Sequence, residues 1–142
     1  MSEEKKVSVG LALKDGYVFE VGFEDDLSKI SVDEPRPVGR GAGPTASALI
    51  LAGVGNCLSA SLVFCLRRAR ADVESMKAEV TGTIARNEQG RWRITHIDVR
   101  IAVSTDASHY PQLRRCVEIF EDFCIVTASI RKGIGVDVEI LA

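Results

Sequence analysis

Apolar and polar residues alternate along the first thirty positions, which is the pattern of β-strands. Two such runs, Val7–Leu13 and Tyr17–Phe23, flank a turn sequence with a glycine. A three-residue loop over Lys14–Gly16, with the glycine left-handed, pairs Leu11 with Phe19 and keeps both apolar sets on one face. A two-residue turn would instead place the apolar residues of the two strands on opposite faces of the hairpin. The pattern therefore predicts a hairpin with a bulge.

A weaker strand is predicted near Ile30–Val32. Residues 33–43 then carry two X-Pro steps and three glycines, without the G-x-G-x-x-G pattern or the preceding strand of a phosphate-binding loop. We interpret residues 33–43 as a flexible linker. It would join an N-terminal hairpin region, residues 1–32, to the helix and sheet core, residues 44–142, of a single domain.

The central part of the chain, from Gly41 to Leu66, contains no charged residue. This composition predicts a long helix that starts at Pro44 and ends near Ala71. The segment is long enough to span a membrane, but its scattered polar residues and glycines favour a helix buried on nearly all sides. A small sheet covers only one side of a helix, so the other side must meet another helix or a second subunit. We therefore expect an obligate homodimer and no membrane insertion.

The second half of the chain predicts another hairpin, with strands over 76–87 and 91–103, and then a second helix. His96 falls on the polar face of the hairpin and is expected to be an exposed strand residue. The helix begins at Pro111, and its apolar stripe continues to Cys124. A closing strand is predicted over Val136–Leu141. Strands and helices thus alternate in blocks, which indicates an α+β fold with a largely antiparallel sheet around the central helix.

Charge and composition exclude several classes of protein. Eighteen Lys and Arg residues against twenty Asp and Glu give a net charge of −2, and only eight residues are aromatic. A nucleic-acid binder normally carries a basic surplus or a base-stacking platform, so no nucleic-acid partner is expected. The N-terminus shows no secretory signal, so we expect a cytoplasmic protein. The four cysteines and two histidines lack the spacing of a metal site, and neither a metal nor a bound cofactor is expected.

The four cysteines remain as candidates for chemistry. Cys57 and Cys65 are eight residues apart, as are Cys116 and Cys124. Eight helical residues advance about 12 Å, and a disulfide needs Cα atoms within about 7 Å, so an intramolecular pair must link the first helix to the second. Cys65 and Cys116 lie in apolar surroundings and are interpreted as small core residues. Cys57 has small and polar neighbours, and Cys124 lies at an element end, as a reacting sulfur requires.

Two motifs around these last cysteines resemble a known family. The segment from Gly43 to Cys57, GPTASALILAGVGNC, resembles the G-P-[ST]-P-x-E-L-L-L-A-A-L-G-x-C segment of the OsmC/Ohr family. The segment CIVTASI, from Cys124, resembles that family's C-P-V-S-x-S-[LI] motif. The order of predicted elements also matches over nearly the whole chain.

The resemblance implies an intertwined homodimer with two sites at its interface, acting in the oxidative stress response. It implies an organic hydroperoxide reductase, a thiol-dependent peroxidase in which Cys57 becomes a sulfenic acid and Cys124 resolves it as a Cys57–Cys124 disulfide. The substrate would be a small organic hydroperoxide, and an external dithiol would reset the pair without a bound cofactor.

The chain departs from the family pattern at three points. Ala48 stands where the family has glutamate, and Ile125 stands where it has proline. The family's catalytic arginine has no counterpart in residues 1–35, and Arg36 and Arg40 are the nearest substitutes. These departures keep an alternative open, namely a non-catalytic dimer that senses redox state or binds a small apolar ligand.

Overall fold

The structure is a computed structural model that describes residues 3–142, in two compact units. The first unit ends at Ile50, and the second covers Leu51–Ala142. The first unit holds three strands and the start of the long helix: β1 (Gly10–Asp15), β2 (Val18–Gly22), β3 (Ile30–Val32) and α1 (Ala46–Arg68). The second unit holds the rest of α1 and these elements: β4 (Ser75–Arg86), β5 (Trp92–Ser104), α2 (Tyr110–Ile119) and α3 (Ile125–Lys132). The α+β class is confirmed, but the antiparallel strands of the described residues form two sheets, β1-β2-β3 and β4-β5, instead of one.

The first hairpin has the predicted strands and a different register. Leu13 pairs with Phe19 and Leu11 pairs with Val21, a shift of two residues from the prediction. The loop is Gly16 and Tyr17, with Gly16 at a φ of 55°, and the bulge is in β1, where the register shifts just before Asp15. A shift of two keeps each side chain on its face, so the same apolar residues share one side of the sheet.

The segment after β3 is an ordered loop, where the sequence predicts flexible chain. The Asp33 carboxylate, only 2% exposed, accepts hydrogen bonds from the backbone N–H groups of Glu34, Arg40 and Ala42 at 2.7, 3.2 and 3.0 Å. The bond from Ala42 contributes most to holding the pKa of Asp33 below its usual value. A single buried carboxylate thus organises the loop because it accepts the donors that the irregular backbone leaves unpaired.

We expect Gly43→Ala to lower the melting temperature clearly, whereas Gly10→Ala leaves it nearly unchanged. A Cβ atom at position 43 would overlap the backbone carbonyl group of Ser31, and backbone cannot move aside as a flexible side chain can. A Cβ at position 10 meets nothing within 4 Å. Thermal unfolding of the two variants tests this, and equal melting temperatures would contradict the tight contact.

Helix α1 begins and ends close to the predicted residues. At its start, Thr45 Oγ1 accepts the Ala48 N–H at 3.1 Å, an N-terminal cap that follows Pro44. At its end, Arg70 takes a left-handed conformation with a φ of 59°, and the Ala71 N–H bonds to the Leu66 carbonyl at 2.9 Å. This geometry satisfies the last carbonyl groups and turns the chain out of the helix.

In the single chain α1 is buried along one face, so burial on nearly all sides stays a prediction that requires a second subunit on the other face. The buried face consists of Val54, Gly55, Leu58, Leu62 and Leu66. It packs on the second sheet, where a Cβ at Gly55 would come within 2.6 Å of Val80 Cγ2. By length and composition α1 is the one helix of the described residues that could cross a membrane, a test that core helices of soluble proteins also pass. The opposite face, which includes Ala52, Asn56, Ala60 and Phe64, is exposed.

The second half of the chain differs from the prediction after Ile119. Helix α2 ends there, a 3-10 turn covers Phe120–Phe123, and Cys124 has extended backbone, with φ −86° and ψ 102°. The apolar stripe therefore does not mark one continuous helix, and α3 was not predicted. The closing strand over Val136–Leu141 is also absent from the described chain. Its residues alternate as a strand requires, but none of the described strands pairs with them, and a strand needs a hydrogen-bonding neighbour.

Candidate active site

The four cysteines form two pairs, each linking α1 to a later element. Cys65 and Cys116 are joined as a disulfide, with Cα atoms 5.8 Å apart. Cys57 and Cys124 are free thiols. The structure thus agrees with the prediction from helix length that an intramolecular pair links the first helix to the second, because no bond joins two cysteines of one helix. The interpretation of Cys65 and Cys116 as separate core residues is wrong, since helical spacing gives no sign of which facing cysteines meet.

The two free thiols lie in contact at the start of α3. Cys57 projects from the middle of α1, and Cys124 is the residue immediately before the first turn of α3. Cys57 packs against the cluster that contains Cys124, close enough for each thiol to shift the pKa of the other. The Cys124 thiol also donates to Thr127 Oγ1 at 3.1 Å. The arrangement brings together the two sulfur atoms that the sequence motifs singled out.

The pair lies in apolar surroundings, and the two sulfurs differ in exposure. Cys124 is 1% exposed, whereas Cys57 is only half-buried and is therefore the sulfur that a small molecule in solution can reach. The cluster around them is formed by the buried Val54 and Leu58 and by partly buried Ile97, Val99, Ile101, Phe120 and Val126. Such walls favour the hydrocarbon part of an organic molecule over water.

Burial raises the pKa of the Cys57 thiol, and its hydrogen bond to Cys124 raises it further. Two backbone N–H groups in the first turn of α3, those of Val126 and Ile125, act in the opposite direction. The balance leaves Cys57 mostly protonated at neutral pH, because a thiolate is the form that burial disfavours.

Burial also acts to raise the pKa of Cys124, but hydrogen bonds outweigh it and the pKa is lowered. The largest of these comes from Cys57, followed by the Thr127 side chain and the backbone N–H groups of Thr127 and Val126. When Cys124 is deprotonated the Thr127 hydroxyl donates to it, since a thiolate only accepts. The first negative charge of the pair is thus held on Cys124, at the N-terminal end of α3.

We expect Cys124→Ser to lower the pKa of Cys57. The substitution removes the sulfur that accepts the Cys57 proton and competes with it for the negative charge. The measurement is the pH dependence of Cys57 alkylation by iodoacetamide, followed by mass spectrometry, whose midpoint should move to lower pH than in the wild type. An unchanged or higher midpoint would contradict the coupling between the two thiols.

Two other residues considered from the sequence, His96 and Arg40, have charged partners of their own. His96 is an exposed strand residue, as predicted, and its Nε2 lies 3.2 Å from the Asp98 carboxylate. The Arg40 guanidinium pairs with Asp15 at 2.8 Å, within the first unit, and its backbone N–H bonds to Asp33. In the part of the chain that the structure describes, no group of three or more His, Cys, Asp or Glu residues could hold a metal ion.

Sequence reasoning missed the contribution of Thr127 and of the backbone at the start of α3. The Thr127 hydroxyl lies 3.1 Å from the Cys124 sulfur, and the backbone at the start of α3 helps to lower the pKa of Cys124. A signal was present, because the residue three positions after an N-cap commonly interacts with the N-cap side chain. It could be used only once a helix was known to begin at Ile125.

A fold with two free cysteines facing each other across α1 and α3 defines a class of small α+β proteins with a dithiol site. The sequence profile of the OsmC family, described as OsmC-like protein, matches residues 39–139. The chain therefore belongs to the OsmC family. No curated protein is similar enough in sequence to be matched to it.

Solved structures share the fold at low sequence identity. An OsmC-like protein of unknown function from Vibrio cholerae has a TM-score of 0.76 and 17% identity, over 88% of this chain and 93% of the other. A putative organic hydroperoxide resistance protein from the same species, with captopril bound in one of its active sites, has a TM-score of 0.65 and 21% identity, over 92% and 88%. The organic hydroperoxide resistance protein OsmC of Legionella pneumophila has a TM-score of 0.66 and 14% identity, over 92% of each chain.

Proposed function

We propose that this protein is a thiol-dependent peroxidase that reduces organic hydroperoxides to alcohols. Its membership of the OsmC family, in which some structural neighbours are named organic hydroperoxide resistance proteins, supports the class of reaction. The contact between the Cys57 and Cys124 thiols supports the mechanism, and it is the single observation on which the proposal depends. The apolar walls of the site favour a hydroperoxide with a hydrocarbon part over hydrogen peroxide.

Cys57 is the attacking sulfur, because it is the more exposed of the two. Once the pair has lost one proton, the Cys57 proton passes to the Cys124 thiolate. The Cys57 thiolate then attacks the outer peroxide oxygen, so that an S–O bond forms and the O–O bond breaks. The alkoxide that leaves takes a proton from the Cys124 thiol and becomes the alcohol. The products of this step are the sulfenic acid of Cys57 and the thiolate of Cys124, whose lowered pKa makes it the easier proton donor of the two thiols.

Cys124 then resolves the sulfenic acid. Its thiolate attacks Cys57 Sγ, so that the S–S bond forms and hydroxide leaves to become water with the proton first released. In sum, two thiols lose two electrons and two protons, and the hydroperoxide becomes an alcohol and water. An external dithiol reduces the Cys57–Cys124 disulfide by two successive exchanges, and no bound cofactor is needed.

Peptide mapping without reduction tests the mechanism. After one equivalent of cumene hydroperoxide, followed by acid quenching and alkylation, we expect a new Cys57–Cys124 linked peptide and one equivalent of the alcohol. Cys124→Ser should consume one equivalent without forming this link. Full alkylation of both cysteines after peroxide treatment, with the peroxide unconsumed, would refute the proposal.

The protein acts as a homodimer in this proposal, because the single chain leaves two apolar surfaces uncovered in its second unit. One is the exposed face of α1 with Ala52, Ala60 and Phe64, which ends in an open groove of about 520 Å³ bordered by Arg67 and Arg68. The other is the C-terminal segment, in which Ile134, Val136, Val138 and Ile140 alternate and are each at least 66% exposed. A second copy offers a matching helix face and a strand partner for the segment.

Light scattering at micromolar concentration tests the dimer. Phe64→Glu places a charge on the uncovered face of α1 and should shift the mass towards that of one chain, 15.4 kDa. Lys132→Glu, a charge change at an exposed residue of α3, is the control and should leave the mass of two chains. A wild-type mass of one chain would exclude the homodimer.

The alternative of a non-catalytic dimer that senses redox state or binds a small apolar ligand is favoured by one observation, the raised pKa of Cys57. A protonated thiol reacts slowly with peroxide, and Ala48 replaces the family's glutamate. This alternative predicts ligand binding by the reduced protein with no turnover. The cytoplasmic location stays a prediction from the sequence.

A further inference from the structure

A second pair of cysteines, Cys65 and Cys116, lies beside the proposed reactive pair and has no part in its chemistry. Cys65 follows Cys57 by eight residues on α1, and Cys116 precedes Cys124 by eight residues. Cys116 is 1% exposed, in a cluster with Leu62, Leu66 and Ala71. The disulfide closes a separation of 51 residues between the two helices.

The two pairs form two rungs between α1 and an antiparallel segment, residues 116–124. The first rung joins Cys65 to Cys116 covalently, and the second rung is the packing of Cys57 against the cluster that contains Cys124. Between the rungs lies the 3-10 turn that begins at Phe120, whose side chain packs against the clusters of both rungs. The first rung therefore fixes the start of the short segment whose end carries Cys124.

We propose that the Cys65–Cys116 disulfide is a positioning cross-link, which holds Cys124 against Cys57 and whose oxidation state sets how efficiently the reactive pair forms its own disulfide. A segment anchored at one end explores less space, so the effective concentration of Cys124 at Cys57 is higher with the cross-link than without it. The two rungs are separate redox couples. Eight residues along α1 place them about 12 Å apart, which is too far for thiol–disulfide exchange between the two pairs.

The cross-link forms by exchange with a low-molecular-weight disulfide. The thiolate of Cys65, the more exposed of the two, attacks one sulfur of that disulfide and releases one small thiol. Cys116 then attacks the mixed disulfide and releases the second. The protein loses two electrons and two protons, and the small disulfide becomes two thiols.

The consequence for peroxide reduction rests on the proposed function. With the cross-link reduced, Cys124 meets the Cys57 sulfenic acid less often, so the sulfenic acid persists and is open to further oxidation. The effect on the thiol pair itself is independent of any peroxide chemistry.

Equilibration in glutathione redox buffers tests the cross-link. Protein is held at increasing ratios of oxidised to reduced glutathione, quenched with acid, alkylated and mapped for the Cys57–Cys124 link. In Cys65→Ala and in Cys116→Val, half-oxidation of this pair should need a buffer about tenfold more oxidising than in the wild type, because the effective concentration of the pair falls by that factor. Dimedone trapping of the Cys57 sulfenic acid after one equivalent of cumene hydroperoxide should rise in the same variants.

Leu113→Val is the matched control. Leu113 packs against the same cluster as Cys116, so the substitution loosens the packing and keeps the cross-link. Its Cys57–Cys124 pair should be half-oxidised at the same ratio of oxidised to reduced glutathione as the wild-type pair. Midpoints of the two cysteine variants within twofold of this control would overturn the proposal.

The wild-type protein provides a test that needs no variant. Cys65 and Cys116 should be linked in buffers that leave Cys57 and Cys124 reduced, since the cross-link must be in place while the reactive pair cycles. The proposal is overturned if Cys65 and Cys116 are alkylated wherever Cys57–Cys124 is oxidised. If the protein reduces no hydroperoxide, the proposed function fails, but the glutathione midpoints still decide on the cross-link.

Discussion

Cys57→Ser is expected to reduce turnover of cumene hydroperoxide with dithiothreitol by about a thousandfold or more, because a serine hydroxyl is not ionised at neutral pH and is a poor nucleophile toward peroxide oxygen. The measurement is the steady-state loss of hydroperoxide at saturating dithiol. The wild-type rate should increase as the pH rises through the raised pKa of Cys57, since only the thiolate attacks.

Two comparisons make this result specific. His96→Ala changes an exposed titratable side chain on β5 and should keep the wild-type rate. Cys124→Ser should lose turnover at the resolving step and still react once, leaving Cys57 as a sulfenic acid that dimedone traps. A Cys57→Ser protein that consumes hydroperoxide as fast as the wild type would end the proposal of a Cys57 peroxidase.

Leu66→Ala should lower the free energy of unfolding by about 3–5 kcal/mol, the largest effect on stability that we expect from one substitution in this chain. Leu66 is 0% exposed and packs with Leu62, Ala71 and Cys116 at the first rung. Its replacement leaves a cavity between α1 and α2 that the cross-linked helices cannot close easily. Urea unfolding at fixed protein concentration, with the Cys65–Cys116 bond intact, gives the value.

Ile84→Ala on β4 is the control for this change. Its side chain is about half exposed in the chain, so truncation removes little buried surface and should cost about 1 kcal/mol or less. Equal losses at the two positions would show that the cluster around Leu66 is not the main core of the second unit.

The fold was predictable wherever a pattern is local. Alternation identified β1, β2, β4 and β5, and the uncharged run identified α1 within a few residues of its ends. The predicted register of the first hairpin was wrong because a bulge can lie on either side of a turn. Both positions keep the same apolar side chains on one face of the sheet. Helix α3 was missed because apolar residues continue in helical spacing through a 3-10 turn that breaks the helix.

The candidate site was predictable in part. The setting of Cys57 and Cys124 and their motifs pointed to these two sulfurs, and the structure places their thiols in contact. The disulfide between Cys65 and Cys116 was not predictable, because both lie on apolar faces where a free cysteine is equally at home.

The sequence by itself determined the class of fold, the family and the two cysteines with the setting of a reactive pair. Each of these depends on neighbours along the chain, which composition and spacing record directly. Only the tertiary structure decided which cysteines meet, which of the two free thiols has the lowered pKa and which face of α1 is covered. Those outcomes depend on the distance between residues far apart in sequence and on the hydrogen bonds and burial that packing creates there.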